Sequence, residues 1–197
     1  MAMWFKKSLP SLGLCLALVL PWMMGCAPRL APAVPAGIVL EPGRYLTASY
    51  RDPGFEASRV AYTIQTFPVE QAQGIAPEEF QSIFQDELTR AWEANGLKIA
   101  PQGKALLSGT VQYVALRGVS FRFLTGQIGA DLVVSGAITR AGKTEFAFQD
   151  RVHLASPVNP GPPAPKEAEL LLRAAARSVA VHLLNELLLY GLPAEGK

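Results

Sequence analysis

Cysteine is scarce in this chain, with two in 197 residues, and both lie near the N-terminus, Cys15 inside an apolar run and Cys26 just after it. The remainder carries no thiol for a disulfide framework, a structural zinc site or a thiolate nucleophile. Histidine is equally rare. Neither His153 nor His182 has a carboxylate or Cys beside it at metal-ligand spacing, so both read as ordinary side chains. Charge is thin too, at 17% of residues against 50% apolar, which excludes a disordered acidic tail and favours a chain with a sizeable core. The formal charge of +2 is carried by Lys6 and Lys7 alone: without residues 1–25, 16 basic side chains face 16 acidic ones. No global argument for nucleic acid remains. A long membrane span is also missing, because the run from Leu9 to Leu20 contains Pro10 and falls short of the roughly 20 residues needed to cross a bilayer.

What is present at the N-terminus has the three parts of an export signal: Lys6 and Lys7, the apolar run, and Gly25-Cys26. Met23-Met24-Gly25-Cys26 resembles the lipobox of bacterial lipoproteins, with Met23 and Met24 standing where that motif usually has Leu and a small residue. The resemblance implies cleavage before Cys26, acylation of Cys26 including a fatty acid such as palmitate, and attachment to a membrane without spanning it. Ala27 follows in place of the Asp that, by resemblance to enterobacterial lipoproteins, retains such proteins at the inner membrane. The implied address is the periplasmic face of the outer membrane. Residues 26–43, with Pro28, Pro32, Pro35 and Pro42, read as a semi-extended tether.

Residues 44–191 read as one α+β domain followed by a short tail, 192–197. Arg44 to Tyr50 is expected as a short edge strand, and Val60 to Phe67 alternates like a half-buried one with Val60, Tyr62 and Ile64 on one face. Pro77-Glu78-Glu79 opens a helix whose Phe80, Ile83, Phe84, Leu88 and Ala91 form its apolar face, and Asn95-Gly96 ends it. Asp86 and Glu87 are expected on its solvated side. Three strands follow, Ala105 to Leu116, Ile128 to Thr139 and Thr144 to Leu154, the last two joined as a hairpin by Arg140-Ala141-Gly142-Lys143. After a Pro-rich loop, Glu167 to Leu189 reads as a helix with Leu170, Leu171, Ala174, Val181, Leu184 and Leu188 inward and Arg173, Arg177, Asn185 and Glu186 toward water. The order β-α-β-β-β-α predicts a mostly antiparallel sheet with both helices on one face and the other face partly open.

Chemistry-bearing motifs are few. Gly136 to Thr144 approaches a phosphate-binding P-loop, but five residues separate its glycines where the motif has four, and the residues after it alternate as a strand. Ser108 and Ser135 precede glycines without forming a Gly-x-Ser-x-Gly elbow. The expectation is a chain that is not an enzyme and carries no cofactor or metal. The segment Arg117-Gly-Val-Ser-Phe121-Arg122-Phe123-Leu124 has more apolar and basic character than a solvated turn needs, and Arg117, Phe121, Arg122 and Phe123 are the candidate contacts to a lipid or a partner. Continuation of the strands through this segment explains the same residues. Arg140 and Lys143 are candidates to extend that basic rim.

The succession of tether, strand, helix ending in ANGLKI, strand with LLSGTVQYV, hairpin with GADLVVSGAI and FAFQDRV, and Ala/Leu-rich helix is similar to the small periplasmic lipoprotein domains of Gram-negative envelopes. That group includes the lipopolysaccharide-assembly lipoprotein and the auxiliary lipoproteins of ABC-type lipid transporters. The resemblance implies a non-enzymatic adaptor or structural subunit, a membrane contact through acyl chains, and a protein partner such as a barrel or transporter component. A lipid or small-ligand binding module, using the open sheet face or a gap beneath the helices, is the alternative.

Overall fold

The computed structural model describes residues 34–35, 37–119, 126–158 and 166–189. Seven strands and two long helices build an α+β domain: β1 (Ala48–Arg51), β2 (Ala61–Ile64), β3 (Ala72–Gln73), α1 (Pro77–Ala94), β4 (Lys98–Ile99), β5 (Ala105–Arg117), β6 (Gly129–Arg140), β7 (Lys143–Ala155) and α2 (Glu167–Leu189). The sheet runs β1-β7-β6-β5-β2-β4, with β3 also on β5. Its long pairs, β5 with β6 and β6 with β7, are antiparallel, whereas the short β2, β3 and β4 join in parallel. The three long strands and both helices are legible in the sequence; β3 and β4, two residues each, are too short to carry a period.

Turn chemistry sets the register of the main hairpin. Arg140 pairs with Lys143, leaving Ala141 at φ 50° and Gly142 at φ 78°, the two left-handed positions of a type I′ turn whose twist matches the flanking strands. The P-loop resemblance ends there, because Thr144 continues a strand. On one sheet face Leu107, Val111, Val114, Leu132, Val134, Ile138, Phe146 and Phe148 are buried beneath the helices. Gly109 and Gly136 pair directly on this face. A Cβ at Gly109 would strike the Phe67 ring and one at Gly136 would lie 2.8 Å from Phe148 Cε1, so bare backbone is what lets these aromatics lie on the sheet.

Helix α1 begins as expected, with Pro77 in the first turn and Glu78 and Glu79 at the positive end of its dipole, and stops at Asn95 with Gly96 at φ 72°. Phe80, Ile83, Phe84, Leu88 and Trp92 are buried, and Trp92 meets Tyr62 edge to face at 5.9 Å between ring centroids. Burial pushes the Tyr62 phenol up, and its hydroxyl donates to the Ala57 carbonyl at 2.8 Å. These side chains fill the space between helices and sheet, so the expected ligand gap beneath the helices is core.

Three expectations about helix faces are overturned. Leu170 and Val181 are 64% and 43% exposed, while Leu172, Ala175, Ala176, Val179, Ala180, Leu183 and Leu187 are buried. Helix α2 is apolar around most of its circumference, so a 3.6-residue period fits more than one stripe, and packing against both α1 and the sheet selects the face. Glu186, expected in water, is 1% exposed and accepts backbone N–H bonds from Tyr45 at 2.7 Å, Arg44 at 3.3 Å and Leu46 at 3.4 Å, plus the Ser49 hydroxyl at 3.2 Å. Glu87, expected on a solvated face, is 2% exposed; Arg177 Nε lies 2.9 Å and Arg173 Nη1 3.5 Å from it, a buried acid that joins α1 to α2.

Candidate functional site

Strand β5 would send the wrong side chains into the core if it alternated without interruption. Val111 pairs with Val134, and the register then slips at Gln112 so that Tyr113 pairs with Val133 and Val114 with Leu132. This β-bulge adds one residue and inverts the parity of everything after it. Val114 thereby stays in the core, and Tyr113, Ala115 and Arg117 turn to the sheet face that no helix covers among the described residues.

On that face the register brings together residues far apart in sequence. Ala115 is opposite Asp131, and Asp131 is opposite His153. Arg117 Nε lies 2.7 Å from Asp131 Oδ2, and His153 Nδ1 lies 2.7 Å from Asp131 Oδ1. An ionised Asp can only accept, so the proton of His153 sits on Nδ1 and Nε2 is the nitrogen left for other partners. Arg117 Nη2 also reaches the Tyr113 hydroxyl at 3.4 Å, which in turn donates to Gln73 Oε1 at 3.2 Å. The Tyr113 hydrogen bond and the Asp131 charge together hold the Arg117 guanidinium above its ordinary pKa. Asp131 is nearly buried, whereas the Arg117 and His153 side chains are 61% and 67% exposed. The arrangement is a nearly buried carboxylate flanked by an accessible guanidinium and an accessible imidazole.

Of the sequence candidates, Arg117 lies in this cluster; Phe121, Arg122, Phe123 and Cys26 fall outside the described residues. Arg140 and Lys143 do not join it. They sit at the opposite end of the long strands, Arg140 donating to Glu145 from Nε at 2.7 Å and Lys143 holding Asp52 at 2.5 Å, which lowers the Asp52 pKa and raises that of Lys143. Asp131 and His153 were missed as a pair because 22 residues separate them. Counting back from the Ala141-Gly142 turn comes within one position of them, and the irregularity between Ile138 and Thr139 accounts for that last residue.

A second Asp–His pair lies under the helices. Asp150, 2% exposed, takes His182 Nδ1 at 2.8 Å on one oxygen and the Thr47 N–H and hydroxyl, each at 3.2 Å, on the other. Exposed apolar side chains lie at the same end of the sheet: Val119 follows Gly118 beside Gln127, and Val158 lies two residues after Ser156, which exchanges hydrogen bonds with Ile128. Residues 39–42 and β1 enclose a groove of about 260 Å³, below the roughly 300 Å³ at which drug-sized pockets begin.

No protein-family model matches the chain, and no curated protein matches it. Among solved structures, the PelC dodecamer of Paraburkholderia phytofirmans is similar over 71% of this chain and 96% of its own at 14% identity and a TM-score of 0.44. A protein of Xanthomonas campestris overlaps 68% of this chain and 86% of its own at 12% identity and a TM-score of 0.41. Rare lipoprotein B of Shewanella oneidensis overlaps 59% and 90% at 14% identity and a TM-score of 0.38.

Proposed function

We propose that this chain is a lipoprotein anchored through Cys26 to the periplasmic face of the outer membrane, and that its domain is a non-enzymatic adaptor or structural subunit of an envelope complex serving lipid or lipopolysaccharide transport. The anchor rests on the lipobox-like Met23-Met24-Gly25-Cys26 behind a basic and apolar leader.

The observation that carries the adaptor reading is the polarity of the domain along its strands. Glu41 pairs antiparallel with Ser49, and Val39 lies by Arg51 and Pro53, so residues 39–41 run toward the Arg140–Lys143 end of the sheet. Arg117, His153, Val119 and Val158 lie at the other end, and the 13 residues of β7 separate the two by roughly 40 Å. The exposed Arg117 and His153, with Val119 and Val158, thus lie at the end of the domain remote from residues 39–41.

Two measurements test the reading. Cys26→Ser is expected to move the protein from the membrane to the soluble fraction; a wild-type protein that is soluble and secreted refutes the anchor. A photocrosslinking residue at Val119 is expected to capture an envelope protein that the same residue at Lys143 does not, and equal capture at both refutes the polarity of the adaptor.

A further inference from the structure

We propose that Arg117 and His153, held by Asp131 beside the bare backbone of Gly129, bind a phosphate group. The inference rests on the adaptor reading in that it names what the accessible end of the domain contacts.

Gly129 is opposite Arg117 on β5 and shares the helix-free face with Asp131, two residues on. Among the described residues a Cβ at Gly129 would meet the Leu154 carbonyl at 3.7 Å and His153 Cε1 at 3.8 Å, both ordinary contacts and neither a clash. Its missing side chain leaves bare backbone beside the imidazole, directly across the ladder from Arg117. Asp131 pairs with Arg117 Nε and takes His153 Nδ1, and among the described residues Arg117 Nη1 and His153 Nε2 have no partner, on side chains that are more than half exposed. A planar guanidinium fork beside an imidazolium suits a tetrahedral oxyanion.

Charge agrees with geometry. The groups facing His153 are Asp131 from β6, Arg117 and Tyr113 from β5, and Arg151, two residues earlier on β7, which is exposed and makes no ion pair among the described residues. With His153 neutral these sum to one positive charge, and with it protonated to two. Neutral His153 presents Nε2 as an acceptor, which repels a phosphate oxygen; protonated, it presents a donor. Affinity is therefore greater for the imidazolium form than for the neutral one. A phosphodiester keeps a constant charge between about pH 6 and about pH 8, so a pH dependence it shows belongs to the protein.

The test uses the full chain in neutral detergent, with the His153 Cε1–H resonance as readout, titrated with inorganic phosphate at about pH 6 and about pH 8. In a second arm, binding is measured to phosphatidylcholine vesicles with and without phosphatidylglycerol. A saturable shift with inorganic phosphate identifies free phosphate as sufficient, and binding only to vesicles containing phosphatidylglycerol identifies a lipid headgroup; either supports the site. Arg117→Gln is expected to weaken binding about tenfold or more, His153→Gln, read in the vesicle arm at both pH values, to abolish its pH dependence, and Gly129→Val, which adds bulk beside the imidazole in a strand that accepts a β-branched residue, to abolish binding with the thermal midpoint retained. Absence of a saturable response in both arms, or one unchanged in Arg117→Gln and Gly129→Val, overturns the proposal. If binding is absent while Cys26→Ser still releases the protein and Val119 still crosslinks, this inference alone falls; if binding persists in a protein that was never anchored, the anchor alone falls.

Discussion

Two Asp–His pairs occupy opposite faces of one sheet, and their surroundings give them different work. Asp150 and His182 lie where α2 crosses β7, and the second oxygen of Asp150 is taken by Thr47. One turn along α2, Glu186 holds the N–H groups of Arg44, Tyr45 and Leu46. These carboxylates stand in for the strand that residues 44–47 do not form: the backbone bends there, and side-chain oxygens accept what a ladder would otherwise accept. Asp131 and His153, on the face that no described helix covers, share the same 2.7–2.8 Å contact but hold no backbone among the described residues, and the imidazole is 67% exposed. Burial turns a common residue pair into a structural clasp on one face, and exposure leaves it available for a ligand on the other.

The contrast breaks most readily at Glu186. Glu186→Ala strips three backbone donors and Ser49 of their acceptor and is expected to cost about 3 kcal/mol in urea unfolding. Asp150→Ala, which orphans Thr47 and His182, should cost about 2 kcal/mol by the same measurement. Substituting the histidines separates the faces more finely: His182→Gln is expected to lower stability by about 1 kcal/mol and His153→Gln by under about 0.5 kcal/mol, and equal losses would erase the distinction. Smallest is the contact at the far hairpin. Lys143 holds the carboxyl of Asp52 below its ordinary value of 3.8, so its contribution is complete above that pH and is lost as pH falls through the lowered value. Lys143→Ala should therefore lower neutral stability slightly, leave stability at the most acid pH unchanged and so flatten the acid limb of the profile below about pH 4.

Most of the layer architecture was legible in the residues. Alternation marked the three long strands, Ala141-Gly142 marked their hairpin, and Pro77 with Asn95-Gly96 bracketed α1. Helix α2 was found but turned to the wrong side, because Leu170 and Val181 are as apolar as Leu172 and Val179, and only the placement of α1 distinguishes them. Glu87 and Glu186 looked like solvated charges for a related reason: a buried acid is recognisable only beside the donors that satisfy it, and those donors lie about 90 and 140 residues away in sequence. Arg117 drew attention by its setting among aromatic residues. Its link to Asp131 and His153 depends on the bulge at Gln112, which no periodicity announces.

Local chemistry was enough for the three long strands, the two helices and their order, and for the even balance of charge beyond residue 25, since each follows from neighbours along the chain or from counting. Which carboxylates became buried clasps, which stripe of α2 entered the core and which residues gathered around Arg117 came only with folding. Each depends on register and packing between distant segments, where a slip of one residue exchanges the two faces of a strand and moves a charge from water into the core.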